Sequence, residues 1–189
     1  MDITPTVLPD IKIYRPKRFS DARGCFTEWY NARTFAATQP LCHFVQDNLA
    51  FSAAAGTLRG LHFQKPPHAQ GKLVGVLHGA IFDVAVDIRR GSPTYGRHVA
   101  AELNADLGNL LYVPPGFAHG YCTIGPDTLV IYKATEFWHR ESEGGIVWDD
   151  PDLAIAWPLA SAPQLVERDA RLPRLAEVDP SPFPYEGSR

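Results

Sequence analysis

The chain predicts an all-β fold, an antiparallel sandwich or barrel with a few short helices. Three observations lead there. Short apolar runs of β-forming residues recur along the sequence, turn residues such as Gly79, Gly91-Ser92-Pro93 and Pro114-Pro115-Gly116 break them at regular spacing, and helical periodicity is scarce.

In chain order the expected strands are IKIY (11–14), CFTEWY (25–30) behind Gly24, HFVQDNLAF (43–51), TLRGLHF (57–63) behind Gly56, and KLVGVLH (72–78). AIFDVAVDI (80–88), HVAAELN (98–104), NLLYVPP (109–115) and TLVIYKATEFW (128–138) follow. Asn31 is placed to cap a short helix through Ala37, and a second helix is expected near Gln164 to Ala170, ahead of Pro173. No repeat of fixed period and no low-complexity segment interrupts the pattern. Residues 1–189 therefore read as a single domain, with a loosely held tail from about residue 176 that includes PSPFPYEGSR (180–189).

A chain of 189 residues can bury a core without disulfide or metal staples. Its formal charge of −3 and pI near 6.1, with no block of like charges, argue against a nucleic-acid or membrane-surface partner. Any anionic ligand must then be held by a local cluster of cations. The start, MDITPTVLPDIKIYRPKRF, lacks the apolar core of a signal peptide, and no later run approaches the ~20 apolar residues of a membrane span. Cys25, Cys42 and Cys122 are odd in number, lack CxxC spacing and sit in apolar contexts, which suits packed, reduced thiols in a cytoplasm.

Within AIFDVAVDI, period-two alternation puts Phe82, Val84, Val86 and Ile88 on one face and Ile81, Asp83, Ala85 and Asp87 on the other. Pattern alone assigns the face with two acids to solvent.

GNLLYVPPGFAH (108–119) has the form G-x5-P-x-G-x2-H and resembles the second signature of cupin jelly-roll barrels, ending on His119, normally a metal ligand. The first cupin signature starts well at Gly56, with His62 in the first ligand slot. Gln64 then fills the second slot, and His68 and Ala69 stand where a carboxylate belongs. Two histidines in register and a neutral amide are a poor divalent-metal set, so the chain is expected to need no metal and no cofactor. That frees His62 to act as a base. Arg59 and Lys72 lie near it in sequence, and buried cations of this kind call for an anionic ligand. Strict alternation sends Arg59 and His62 to opposite faces, so a shared pocket requires a twist or bulge, for which Gly60 is suited.

Eight segments in fixed order, DARGCFTEWYNARTF (21–35), FVQDN (44–48), LRGLHFQ (58–64), AQGKLV (69–74), FDVAVDIRRGSPTYG (82–96), PPGFAHG (114–120), IYKATEF (131–137) and WDDPDLAIAWP (148–158), followed by Asp169, resemble the dTDP-4-dehydrorhamnose 3,5-epimerases. The resemblance covers about residues 3 to 175 and implies a metal-free cupin-type jelly-roll barrel. It also implies a homodimer with shared active sites and a dTDP-linked 4-keto-6-deoxy sugar as substrate, epimerised at C3 and C5.

Such chemistry removes a proton beside a ketone and returns one on the opposite face through an enolate. It needs a base, an opposed acid and a stabiliser for the oxyanion. By the resemblance His62 is the base, Asp169 its partner, Lys72 the cation near the C4 oxygen and Tyr132 the opposed acid, while Asp83 matches a further pocket position. Arg59, Arg23 and Arg168 stand at or near pyrophosphate positions. Phe19, Phe26 and Trp138 are candidates for the wall against the base, with Glu28, Gln46, Asn48 and His119 as polar contacts. The segment from Arg23 to Glu28 is expected to reach the other protomer's site. Phe137 and Trp138 replace two tyrosines usual in the family, and LAFSAAAG (49–56) departs from a His-Ser-x-Ser pattern, changes that touch ligand contacts more than the reaction.

Overall fold

The central strands of this chain are apolar on both faces, and the fold answers by covering both. The computed structural model describes residues 1–189 apart from 41, 180, 181, 186, 188 and 189. Its elements are β1 (Asp2–Pro5), β2 (Lys12–Arg15), β3 (Arg18–Asp21), β4 (Gly24–Thr27), α1 (Ala32–Ala36), β5 (Gln46–Ser52), β6 (Leu58–Gln64), β7 (Lys72–His78), β8 (Ala80–Asp87), β9 (His98–Asn104), β10 (Leu110–Val113), β11 (Phe117–Thr123), β12 (Thr128–Ala134), β13 (Glu143–Gly145) and α2 (Glu167–Ala170). A six-stranded sheet, β1-β2-β10-β7-β12-β5, faces a five-stranded sheet, β13-β6-β11-β8-β9, and β3-β4 stand apart as a hairpin. All strand pairs are antiparallel. The result is a cupin-like jelly roll.

Between the sheets, Val74 and Val76 of β7 and Val130 of β12 meet Ile81 and Ala85 of β8, Leu103 of β9 and Phe117 and Tyr121 of β11. A second cluster covers the outer face of the five-stranded sheet, where Leu61, Val84, Val86 and Ala118 pack under Ile146, Leu153, Leu175 and Phe183. On the outer face of the other sheet, Phe35 from α1 packs with Tyr14, Leu73, Leu110 and Tyr112. Asn31 caps α1 by accepting from the N–H groups of Arg33 and Thr34, as expected from the sequence.

Double coverage corrects the solvent assignment of the acid face of β8. Asp83 and Asp87 are both fully buried, since that face looks into the barrel. Part of the tail is described. Of residues 180–189, five lie outside the described residues, yet Phe183 is buried, Arg90 donates its N–H to the Phe183 carbonyl, and Tyr185 donates to the Arg90 carbonyl. Phe183 fills space against Phe63, an anchor that one aromatic among prolines does not reveal.

Strands β7 and β9 have the bounds read from the sequence, whereas β12 stops at Ala134 and β4 at Thr27. Sequence pattern missed β1, β3, β11 and β13, and the one of these that builds the centre of a sheet is β11, FAHGYCT. Alanine and glycine lower its β-propensity, and pairing with β6 on one side and β8 on the other supplies what propensity does not. Among the described residues no helix is long and apolar enough to cross a membrane.

Candidate active site

One cavity of about 620 Å³ opens between the sheets near the β6–β11 pair. His62, Arg59, Lys72, Tyr132, His119, Asp169, Arg168, Asn48 and Trp138 all line it, which brings nine of the fifteen sequence-selected residues to one place.

Local backbone explains how β6 delivers two of them. Pairing with β11 passes from His62 opposite His119 to Arg59 opposite Tyr121, so Gly60 and Leu61 share the single partner Gly120. This is the bulge that strict alternation required, and it turns Arg59 and His62 into the same cavity. Gly60 has φ +118°, and a Cβ there would lie 2.6 Å from Gly120 Cα and 2.7 Å from the His119 carbonyl oxygen. Only glycine fits both demands.

Asp169 arrives from far along the chain. The Leu58 N–H donates to the Gln164 carbonyl and the Gln164 N–H to the Gly56 carbonyl, stitching the segment before α2 to the start of β6. Helix α2 then sets Asp169 Oδ1 2.9 Å from His62 Nε2, while the Gly60 N–H donates to Oδ2 at 3.2 Å. Burial pushes the Asp169 carboxyl up, but its bonds to His62 and Gly60 and the nearby Arg168 hold it below the usual carboxylate range. An ionised Asp169 fixes the proton of neutral His62 on Nε2, leaving the lone pair on Nδ1.

Lys72 begins β7 and Tyr132 lies on the adjacent β12, with the Lys72 ammonium 6.0 Å from the Tyr132 ring centre. Burial lowers the Lys72 pKa to about 8, against the opposing pull of Asp83 and Glu143. It remains mostly cationic at pH 7. Burial raises the Tyr132 pKa, with Arg59 pulling the other way, so the phenol keeps its proton. His62 projects from the five-stranded sheet and Tyr132 from the six-stranded sheet, so imidazole and phenol line the same cavity from opposite sheets.

The two buried acids of β8 part company. Asp87 is saturated by Arg89 at 2.7 Å, Ser92 at 2.6 Å and Thr94 at 2.6 Å, an arrangement that knots the following loop. Asp83 bonds only His119 Nε2, at 2.5 Å through Oδ1, and stands directly behind the cavity wall. Gln46 is at the rim, accepting the Trp138 N–H and donating to Asn48. Phe19, Arg23 and Phe26 lie instead on the β3–β4 hairpin around a separate depression, and Glu28 is exposed just beyond it. Arg18 ties this hairpin to the loop after β9 through the carbonyls of Ala105 and Asp106.

Of the cavity residues not selected from the sequence, Tyr121 and Glu143 carry polar groups that bear on the site. Tyr121 would have been found had FAHGYCT been taken as a strand, because it follows His119 on the same face. Glu143 carried no sequence signal. It accepts from Trp138 Nε1 at 2.9 Å and from Arg168 at 2.8 Å, clasping the cavity rim.

The cupin ligand slots do not fit a metal. His62 and His119 are bonded through Nε2 to aspartates, while Gln64 donates to the carbonyls of His68 and Phe137 and accepts from the His139 N–H. Among the described residues no three His, Cys, Asp or Glu side chains are placed to hold a metal ion.

Residues 5–177 match the profile of the family described as dTDP-4-dehydrorhamnose 3,5-epimerase. A dTDP-4-dehydrorhamnose 3,5-epimerase of Sinorhizobium fredii is 47% identical over 178 residues, 94% of this chain and 91% of that protein. The crystal structure of a dTDP-6-deoxy-D-glucose-3,5-epimerase from Legionella pneumophila, in complex with dTDP-4-keto-L-rhamnose, superposes with a TM-score of 0.94 at 41% identity, covering 99% of each chain. A 3′-monoepimerase from Streptomyces bikiniensis, in complex with dTDP-quinovose, gives a TM-score of 0.84 at 32% identity, covering 91% of this chain and 87% of that one.

Proposed function

Since the chain belongs to the dTDP-4-dehydrorhamnose 3,5-epimerase family, we propose that it converts dTDP-4-dehydro-6-deoxy-D-glucose to dTDP-4-dehydro-L-rhamnose by successive epimerisation at C3 and C5. The observation that carries this reading is the opposition of His62 and Tyr132 across one cavity, with Lys72 beside the phenol.

Inversion beside a ketone needs proton removal on one face and return on the other. His62 takes the proton on Nδ1, and Asp169 stabilises the imidazolium that results. Lys72 offers a fixed cation to the C4 oxygen as charge builds there, worth most in a site shielded from water. Tyr132, held in its protonated form, returns a proton from the other sheet's side. Asp83 orients His119 on the cavity wall. Arg59 and Arg168 attract the pyrophosphate, and Arg168 must exchange its bond to Glu143 for one to the ligand. Asn48 and Gln46 supply polar contacts, and Trp138, exposed at the mouth, is a surface for the base to stack on.

The working unit is a homodimer in this proposal. Phe19 and Phe26 are 53% and 70% exposed, too apolar to face water without purpose, and with Arg23 and Glu28 they are well placed to complete a second protomer's cavity. Unpaired Cys25, Cys42 and Cys122 suit a cytoplasmic site of action. A monoepimerase acting at C3 or C5 alone is the second reading, favoured by the likeness to the 3′-monoepimerase fold.

Proton NMR of the dTDP-4-keto-6-deoxyglucose substrate incubated with the enzyme in D2O, followed by reduction of the products, separates the two. Deuterium at both carbons with both inverted supports the double epimerase, and labelling at one carbon supports the monoepimerase. Absence of exchange at either overturns both.

A further inference from the structure

Tyr121 follows His119 by two residues on β11, so both side chains project from one face of that strand into the cavity. Its directly opposed neighbour on β8 is Asp83. Tyr121 is 4% exposed and Asp83 0%. Among the described residues, three buried side-chain polar atoms have no hydrogen-bond partner, and the Tyr121 hydroxyl and Asp83 Oδ2 are two of them; the third is Ser52 Oγ. Native proteins rarely leave a buried polar atom unpaired, because its lost hydration is not replaced. Tyr121 lines the cavity and Asp83 stands directly behind it, so unpaired atoms on these two cross-strand neighbours point to a group that comes with the ligand.

We propose that the Tyr121 hydroxyl and Asp83 Oδ2 together receive one ring hydroxyl of the sugar, making Tyr121 a binding residue that distinguishes a sugar nucleotide from the bare nucleotide. This rests on the epimerase reading above. The pairing of a donor with an acceptor selects the chemistry. A sugar hydroxyl accepts from the phenol through its oxygen and donates its hydrogen to the carboxylate. A phosphate oxygen would satisfy the phenol but set like charge against Asp83, and a keto oxygen has no hydrogen to donate. Burial raises the Tyr121 pKa, only partly opposed by Arg59, so the group serves as a neutral donor.

Tyr121→Phe tests the assignment because it deletes the unpaired hydroxyl and preserves the ring. Three readouts are needed on wild type and variant: the thermal midpoint without ligand, the Kd for dTDP and for dTDP-glucose, and kcat and KM for the 4-keto sugar nucleotide. The expected result is a midpoint equal to or above wild type, dTDP affinity within about twofold, and dTDP-glucose affinity weaker by about three- to tenfold. KM rises by a similar factor, and the larger part of the loss lies in KM rather than kcat. A lowered midpoint overturns the proposal in favour of a hydroxyl satisfied within the free protein, through an internal water. Equal losses for dTDP and dTDP-glucose overturn it in favour of a phosphate contact, and no loss for either ligand refutes it outright. If wild type itself neither exchanges protons of the keto sugar nor binds dTDP-glucose, the epimerase reading fails and this inference falls with it. Wild-type turnover with an unaffected variant rejects the inference alone.

Discussion

His62 and His119 stand directly opposite one another on β6 and β11, and each engages its own buried aspartate through Nε2, Asp169 in one case and Asp83 in the other. The two dyads differ in access. The His62 side chain is 29% exposed and that of His119 7%, so of the two rings lining the cavity His62 is the more open.

His62→Ala is therefore expected to abolish deuterium incorporation at both C3 and C5, a loss of at least about 10²–10⁴-fold. Asp169→Asn, which keeps the shape and removes the charge, should lower exchange at both carbons in parallel. Exchange surviving at one carbon in His62→Ala would assign a second base to the site.

In the proposed mechanism Tyr132→Phe removes the acid and leaves the base. Deuterium exchange followed by NMR should persist at a reduced rate while inverted product disappears, since the enolate is reprotonated from the side it was formed on. Normal inversion in this variant would place the acid elsewhere.

Lys72 sets an alkaline limit. Its pKa of about 8 means that the cation is lost as pH rises through that value, so kcat/KM should fall above about pH 8. Stability moves the other way. A lysine in the unfolded chain holds its proton up to its ordinary value of about 10.5, so between about 8 and 10.5 the unfolded state binds more protons and the contribution of Lys72 to stability rises with pH. Lys72→Met should show much lower activity without that alkaline limb, and its stability relative to wild type should be greatest near neutral pH and shrink through this window. Urea denaturation at pH 7 and at about pH 9.5 measures the difference.

Gly60→Ala inserts a methyl group between β6 and β11 at a φ that alanine resists. A loss of about 3 kcal/mol, read from the denaturant midpoint, is expected from the combined backbone strain and overpacking. Activity should fall further than stability alone explains, because the bulge aims both Arg59 and His62.

Much of this protein was legible before any coordinates. Turn residues and short apolar runs delimit β7 and β9 to the residue, and Asn31 announces α1, because strand length and helix capping are set by neighbours in sequence. The ordered motifs likewise carry the family and its candidate chemistry in His62, Lys72, Tyr132 and Asp169. That a shared pocket for Arg59 and His62 requires a twist or bulge, with Gly60 suited to it, follows from alternation. What lay out of reach depends on partners distant along the chain. Strand β11 exists because β6 and β8 flank it, the acid face of β8 is interior because a second sheet lies over it, and Phe183 is anchored by Phe63 rather than by anything near it in sequence. The same holds for the unpaired Tyr121 hydroxyl and for Glu143 at the rim. Local propensity and spacing determine which residues can form a strand or carry a proton. Burial and hydrogen-bond satisfaction are properties of the assembled sheets, and they decide which of those residues face the same cavity and which polar atoms are left for a ligand.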